Sequence, residues 1–167
     1  MASSLSFRVD GLPQPKGSVT RMPHGGMIPA GTTASRQRKA DWRTDIRAAA
    51  SQAMPPGEQP YTGPVQVDVV FELPYPKSSV RKYQHGWLPL IKKPDIDKLL
   101  RLLLDALTGI VWVDDNQVCY VHMQKHYAWD DRPGADIVIA FQDEEWCKRL
   151  AAGRAHIKQV QRVVGHA

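Results

Sequence analysis

The sequence predicts one α/β domain of the α+β type, in which helices form a second layer on a mixed sheet of about four or five strands. Short segments that alternate apolar and polar residues are typical of half-buried strands, and they occur at 5–12, 65–73, 118–129 and 134–142. Two longer segments repeat apolar residues at helical spacing, at 35–54 and 95–107. A length of 167 residues suits one such domain with a core of its own.

Composition limits the class of protein. Hydrophobic residues make up 43% of the chain and charged residues 23%, which are ordinary values for a soluble globular protein. No apolar run reaches the roughly 18 residues that a transmembrane helix needs, and the first residues lack the pattern of a signal peptide. We therefore expect a cytoplasmic protein without a membrane partner, in which Cys119 and Cys147 remain free thiols. The net charge of +5 favours a polyanionic partner such as nucleic acid, although charge alone is weak support.

The first strand, 5–12, is followed by a segment at 13–33 that is rich in Pro and Gly. This composition predicts a loop. Its basic residues, Lys16 and Arg21, are either solvated or in contact with phosphate, and the sequence favours neither interpretation.

The helix predicted at 35–54 has Ser35 as its candidate cap. Its apolar face consists of Trp42, Ile46, Ala49 and Ala53. Basic residues outnumber acidic ones on the rest of its surface. A solvated charged face is the favoured interpretation, with DNA contact as the second.

The segment 74–94 contains Pro, Gly and scattered basic residues without any period, so it is predicted to be a surface loop. It ends in Lys92 and Lys93. Beyond the second helix, His122 and His126 share one face of a predicted strand. Packing or surface roles are favoured over a metal site, because no third nitrogen or sulfur ligand is evident nearby.

The tail predicts a further helix at 143–165, with apolar residues at alternating spacings of three and four. This seam packs either on the protein's own core or against a second copy. The core of the main domain is predicted to include Trp42, Ile46, Val67, Val69, Leu100, Leu103, Leu104, Leu107, Ile137 and Ile139.

Four aspartates flank the leucine-rich helix that is predicted after Pro94. Asp95 and Asp97 stand at its start, and Asp114 and Asp115 follow the short apolar run beyond its end. One acid at a helix start would be explained as a cap favoured by the helix dipole, but two acids among lysines are not. If the chain turns back after the helix, the second pair of acids is expected to approach the first.

Converging carboxylates repel one another, and a hard divalent cation is the usual reason for a basic protein to tolerate them. Magnesium prefers oxygen ligands and is commonly held by carboxylates together with waters and substrate phosphate. Such a site can activate water for phosphodiester cleavage. A DxD motif alone is weak, whereas DxD followed by DD beyond a helix is more specific. Lys98, Arg101 and Asp105 form the polar stripe of that helix.

The segment KPDIDKLLRLLLDALTGIVWVDDNQV, residues 93–118, resembles the signature of the RusA family of Holliday-junction resolvases, which occur in bacteria, prophages and phages. The family pattern is D-x-D-N-x-x-K, then DAL, a short segment with glycine, and DD followed by a polar residue and Gln. The match is dense over 94–118 and looser over 5–142. The resemblance implies a RusA-like endonuclease domain at 1–142, with 143–167 as a C-terminal helical extension.

The resemblance implies that Asp95, Asp97 and Asp115 are catalytic residues that bind the metal, which is Mg²⁺ with Mn²⁺ as an alternative. Arg101 stands where the family usually has a catalytic lysine, and Lys98 where it usually has asparagine. Arginine keeps a positive charge near the scissile phosphate but stays protonated, so it is a poor proton donor.

The remaining residues implied for the site have supporting roles. Asp114 and Asp105 are expected to stand beside the metal ligands without binding the metal. The residues expected to bind DNA are Lys16, Arg21, Lys92, Lys93 and Lys98.

The function expected from this resemblance is magnesium-dependent cleavage of four-way DNA junctions by paired symmetric nicks, carried out by a homodimer. The protein is expected to act in a bacterial cell, and its gene is either bacterial or from a phage or prophage. A nuclease of the same family that prefers flaps, forks or other branches is one alternative. A DNA-binding protein whose site has decayed at Lys98 and Arg101 is another.

Overall fold

A computed structural model describes residues 4–17, 19–21, 27–29, 31–75, 89–128, 132–143 and 148. The strands are β1 (Ser4–Asp10), β2 (Val19–Arg21), β3 (Met27–Pro29), β4 (Val65–Leu73), β5 (Val118–Tyr127) and β6 (Gly134–Phe141). The helices are α1 (Thr33–Ala53) and α2 (Ile96–Leu107), and a single 3₁₀ turn, Asp115–Gln117, precedes β5. No helix among these residues is long and apolar enough to cross a membrane.

The main sheet has four strands in the order β1-β6-β4-β5. β6 is antiparallel to both of its neighbours, and β5 is parallel to β4. The parallel pair needs a crossover connection, and α2 lies within it. The predicted mixed sheet with helices packed on it is therefore confirmed.

One face of this sheet is buried because alternate residues of each strand point to the same side. On β4 these residues are Val65, Val67, Val69 and Phe71, each at most 2% exposed. On β6 they are Ala135, Ile137 and Ile139. α1 contributes Trp42, Ile46 and Ala50 to the same core. The predicted face of α1 is confirmed at Trp42 and Ile46, while Ala49 and Ala53 are partly buried.

The predicted core is wrong at Leu100 and Leu104, which are only partly buried. A helix that packs on a sheet buries one face, whereas the leucines of α2 are spread over more than one face. Their apolar character alone therefore does not show which of them are buried. The buried residues of α2 are Leu99, Leu102, Leu103, Ala106 and Leu107.

This difference in burial gives a stability prediction. Leu103→Ala should lower the free energy of unfolding by about 2–5 kcal/mol, because Leu103 is completely buried and its truncation leaves a cavity. Leu100→Ala, the same change at a partly buried position of the same helix, should cost clearly less. Urea denaturation followed by circular dichroism measures both, and equal losses would contradict the assignment of the buried face.

Two predictions for the N-terminal part need correction. β2 and β3 pair as an antiparallel hairpin inside the segment predicted to be a loop, since strands of three residues are too short to show a period. The cap of α1 is Thr32 rather than Ser35, because the Thr32 hydroxyl accepts a hydrogen bond from the Ser35 amide at 3.2 Å.

The predicted tail helix, 143–165, lies outside the described residues apart from Asp143 and Lys148. Its role and the boundary after residue 142 therefore remain predictions. Cys119 is an exposed free cysteine, and Cys147 also lies outside the described residues.

Candidate metal and DNA-binding site

Asp95 occupies the N-cap position of α2, but its side chain accepts no hydrogen bond from the helix amides. The carboxylate turns instead to Lys98, whose ammonium group donates a hydrogen bond to it at 2.7 Å. This hydrogen bond, together with the charge of the same lysine, lowers the pKa of Asp95. Asp95 is therefore ionised and partly solvent-accessible, and helix capping does not explain its presence.

Asp97 lies in the first turn of α2, where a negative charge is favoured by the helix dipole. Its carboxylate is exposed, and no hydrogen bond or ion pair engages it within the described part of the chain. Asp95 and Asp97 thus place two carboxylates at one end of α2.

Lys125 on β5 positions the segment that leads into this helix. Its ammonium group donates hydrogen bonds to the carbonyl oxygens of Lys92, at 2.8 Å, and Pro94, at 2.7 Å. The charge of Lys125 also contributes to the lowered pKa of Asp95. The sequence did not reveal this role, because Lys125 looks like an ordinary polar residue in a strand pattern.

The second pair of acids divides its roles between the two residues. Asp114 caps the 3₁₀ turn: its carboxylate accepts a hydrogen bond from the Asn116 amide, and its own amide donates to the Gln117 side chain, both at 2.9 Å. Asp115 is exposed, and no partner for its carboxylate occurs among the described residues.

Gln117 fixes this turn to the rest of the fold. Its side-chain amide donates to the carbonyl oxygens of Tyr61 and Gly63, both at 2.8 Å. Asp115 is therefore held at the end of the sheet where β4 begins, next to the end of α2.

The single chain does not bring the two acid pairs together, and the expectation that the chain returns Asp115 to Asp95 is wrong for one copy. α2 ends at Leu107, and the predicted stop, Gly109, has a φ of 79°. The chain then turns tightly and enters β5 beside the end of α2. Asp95 and Asp115 lie at opposite ends of this twelve-residue helix, a span of about 18 Å.

The basic residues predicted to bind DNA differ in what holds them. Lys98 is ion-paired with Asp95, whereas Lys92 and Lys93 are exposed. Arg101 is exposed, with no hydrogen bond or ion pair to any described residue. Arg21 belongs to β2, and its side chain lies outside the described parts.

Lys16 packs against α2, although it is distant from that helix in sequence. Its amide donates to the Lys98 carbonyl at 2.8 Å, and its ammonium group forms an ion pair with Asp105. Asp105 lies near the far end of the helix from Asp95, and its predicted place beside the metal ligands stays a prediction.

Two arginines of α1 have a role that the sequence did not reveal. Arg47 donates to the Ala106 carbonyl at 2.9 Å, and Arg43 reaches the Asp105 carbonyl at 3.4 Å. Both therefore place positive charge at the C-terminal end of α2, where the helix dipole favours it. Arg43 remains exposed, as predicted for a solvated face, whereas Arg47 is partly buried.

The donor set fits a hard divalent cation, since Asp95, Asp97 and Asp115 offer only carboxylate oxygens. Within the described residues, no three acidic, histidine or cysteine side chains of one chain are close enough to hold a metal ion. His122 is exposed and lies 3.6 Å from Asp68, while His126 is buried. One copy of the chain therefore carries two of the expected ligands, Asp95 and Asp97, at one end of α2 and the third, Asp115, at the other end.

Comparison with known proteins adds two findings. A family model described as endodeoxyribonuclease RusA matches residues 12–140. An uncharacterised protein of Bacillus subtilis (strain 168), YqaN, is 33% identical over 100 residues, an alignment that covers 56% of this chain and 68% of the relative. The matched region includes β4, α2, β5 and all four aspartates.

Proposed function

This chain belongs to the RusA family of endodeoxyribonucleases, which resolve Holliday junctions, and on that premise we propose that it cleaves four-way DNA junctions in a magnesium-dependent reaction. Mn²⁺ is the alternative metal. The observation that carries the proposal is the placement of Asp95, which occupies a cap position without capping and keeps an ionised carboxylate at the surface beside Asp97.

The catalytic residues in this proposal are the carboxylates of Asp95, Asp97 and Asp115, which hold the metal, and the guanidinium of Arg101. Mg²⁺ held by these three carboxylates would supply Lewis-acid chemistry, namely activation of water and stabilisation of the charge that develops on the scissile phosphate. Arg101 binds that phosphate and stabilises the same charge without transferring a proton, since arginine stays protonated. Lys98, Lys92 and Lys93 bring further positive charge to the same end of α2 for the neighbouring phosphates.

A two-fold homodimer would complete the metal site. In this arrangement the partner's Asp115 meets Asp95 and Asp97, and the reverse pairing occurs at a second, identical site. Two symmetric sites would suit paired nicks in opposite strands of a junction. The separation of the acids in one chain supports this arrangement.

The outer edge of β5 is a suitable dimer contact. β5 ends the sheet, and no described strand pairs with its outer edge over 118–124, while Leu90 bonds to the carbonyl of Lys125 at 3.3 Å. An exposed strand edge is a template for pairing with another chain. Antiparallel pairing centred on Val121, which is 40% exposed, would place Val118 opposite the partner's Gln124.

This register accounts for the metal site in terms of distance. The six steps from Val118 to Gln124 span about 20 Å along β5, close to the length of α2. A two-fold axis at Val121 would therefore carry the turn with Asp115 to the end of the partner that holds Asp95. Because Lys125 ties the segment before Asp95 to β5, the acid pair has a fixed position relative to that axis.

Nicking assays on synthetic DNA test the proposed function. The wild-type protein with magnesium should nick a four-way junction in two opposite strands, and it should do so faster than it nicks a flap, a fork or a linear duplex. Faster cleavage of flaps or forks would support a branch nuclease of the same family instead. Junction binding without metal-dependent nicking would support a DNA-binding protein with a decayed site.

The ion pair between Lys98 and Asp95 gives a prediction that tests the decayed-site alternative. Lys98 competes with a metal ion for a carboxylate that would otherwise be free. Lys98→Asn, which restores the family's usual residue, should lower the magnesium concentration for half-maximal nicking by about two- to fivefold, the range expected for an exposed ion pair. Magnesium titration of single-turnover nicking measures this, with Lys93→Asn as the control. An unchanged requirement in Lys98→Asn would show that the ion pair does not compete with the metal.

A further inference from the structure

A basic pocket lies between α1, α2 and the segment before β2, near the far end of α2 from Asp95. It has a volume of about 270 Å³ and is lined by Lys16, Gly17, Lys39, Ala40, Arg43, Leu102 and Asp105. Three of these side chains are cationic and one is anionic, so the pocket carries a net positive charge. Lys16 is expected to bind DNA, but Lys39 and Arg43 have no assigned role in the metal site.

Lys39 is the most informative residue of this pocket. It is half-buried on α1, and no hydrogen bond or ion pair with a described residue engages its ammonium group. A lysine side chain buries its aliphatic part readily, but its charged group needs water or an anion as a partner. An anionic ligand in the pocket would supply that partner.

The other two cations are held in place by the fold. Lys16 is fixed by the hydrogen bond from its backbone amide to the Lys98 carbonyl and by its ion pair with Asp105. Arg43 makes one contact of 3.4 Å with the Asp105 carbonyl, which leaves most of its five donors for a ligand. The ion pair of Asp105 uses part of the charge of Lys16, but Lys39 and Arg43 remain available.

The location of the pocket suggests which anion it takes. The polar stripe of α2, Lys98, Arg101 and Asp105, runs from the acid pair to the pocket. The eight residue steps from Asp97 to Asp105 rise about 12 Å along the helix, which corresponds to about two nucleotides of a DNA strand, because successive phosphates of one strand lie about twice as far apart as the 3.4 Å axial rise. A strand that places one phosphate at the acid pair can therefore place another at the pocket.

We propose that the pocket lined by Lys16, Lys39 and Arg43 binds a backbone phosphate of the DNA, about two nucleotides from the phosphate that is cleaved. This inference rests on the proposed function, since the position of the scissile phosphate comes from it. The pocket holds the phosphate equally before and during cleavage. It therefore contributes to affinity and to the placement of the strand, and it takes no part in the chemical step.

The test compares Lys39→Gln with Arg38→Gln, which removes the same charge from the next, exposed position of α1, outside this pocket. Binding to a four-way junction is measured without divalent metal across a range of salt concentrations. Lys39→Gln should weaken binding roughly tenfold at low salt, as expected for a charge-assisted contact. The slope of log affinity against log salt should become shallower by about 0.9, the value for one lost phosphate contact. Arg38→Gln should change neither quantity appreciably.

A modified DNA locates the contact. Replacing single phosphates by uncharged methylphosphonates should weaken wild-type binding at one position about two nucleotides from the nick, and Lys39→Gln should lose nothing further at that position. Lys39→Arg should restore both the affinity and the slope.

The outcomes separate this proposal from the proposed function. If the wild type nicks junctions but Lys39→Gln and Arg38→Gln have equal salt slopes, the pocket proposal is overturned while the nuclease assignment stands. If the wild type makes no nick but the two slopes differ as expected, the pocket binds DNA and the nuclease assignment fails. A well-folded wild type that does not bind DNA would overturn both.

Discussion

Asp115→Asn is expected to lower single-turnover nicking of a four-way junction roughly a thousandfold, the loss of transition-state stabilisation expected when a metal ligand is removed. The Asn side chain keeps the size of Asp but removes the charge that attracts the cation. The adjacent change, Asp114→Asn, should leave most of the activity. The carboxylate of Asp114 caps the turn, and Asn is about as good a capping residue as Asp, so the turn should be preserved.

These two variants form a matched pair, because both replace an exposed Asp by Asn in the same turn. Both should melt at the temperature of the wild type, since surface substitutions of this kind change stability by no more than about 0.5 kcal/mol. An inactive Asp114→Asn with an active Asp115→Asn would mean that the family assignment is shifted by one residue here. Loss of activity in both would mean that both acids reach the metal.

Asp95→Asn and Asp97→Asn should lose nicking in the same way while junction binding persists or becomes tighter. Each change removes a negative charge that repels the DNA backbone. Gel-shift and nicking assays on the same preparations separate the two effects. Near-normal nicking by Asp95→Asn at moderate magnesium would contradict its assignment as a metal ligand.

The sequence predicted the main sheet well because its strands carry strong local signals. On β4, Val65, Val67 and Val69 alternate with partly exposed residues, and the period of two is visible without any knowledge of neighbours. The helix after Pro94 was equally clear from its leucines and from Gly109, which indeed ends it. What failed was the choice of the buried face: Leu100 and Leu104 are as apolar as Leu99 and Leu103, and only packing distinguishes them.

The sequence proposes the residues of the candidate site, but it does not give their geometry. The family pattern identified Asp95, Asp97 and Asp115 as the expected ligands, but nothing in the spacing of a motif states where the chain goes after a helix. The direction of the chain depends on long-range contacts. Gln117 binds the backbone of Tyr61 and Gly63, and these contacts hold the second acid pair at the far end of the helix.

Lys125 and Arg47 were missed for the same reason. The partners of both residues are backbone carbonyl oxygens distant in sequence, at Pro94 and Ala106, and a carbonyl acceptor leaves no trace in the residue types. Lys16 could be identified as a basic residue of a predicted loop. Its position against α2, however, depends on a hydrogen bond from its backbone amide to the Lys98 carbonyl. Side chains that act on a distant backbone are visible only in the folded chain.

Mixing two inactive variants should restore nicking if the metal site is shared between copies. Asp95→Asn and Asp115→Asn are each expected to be inactive alone. In a heterodimer of the two, one site carries both changes, while the other combines an intact Asp95 with an intact Asp115 from the partner. After the subunits exchange, about half of the dimers should be of this kind, and each should nick one strand of the junction. The recovered activity should exceed that of either variant alone by roughly a hundredfold or more.

A site formed within one chain predicts the opposite result, because each site of the heterodimer would then carry one change and the mixture would stay inactive. A control with Asp95→Asn and Asp97→Asn makes this decisive: both changes lie at the same end of α2, so every mixed site contains at least one of them and no activity should return.

The contact itself is tested by Val121→Asp, which buries a charge at the centre of the proposed strand pairing and should produce monomers in sedimentation. Val138→Asp serves as its match, since Val138 is 43% exposed against 40% for Val121 but lies on β6, away from the sheet edge. Recovery of activity that persists in the Val121→Asp background would show that the copies meet elsewhere and that the partner still supplies Asp115.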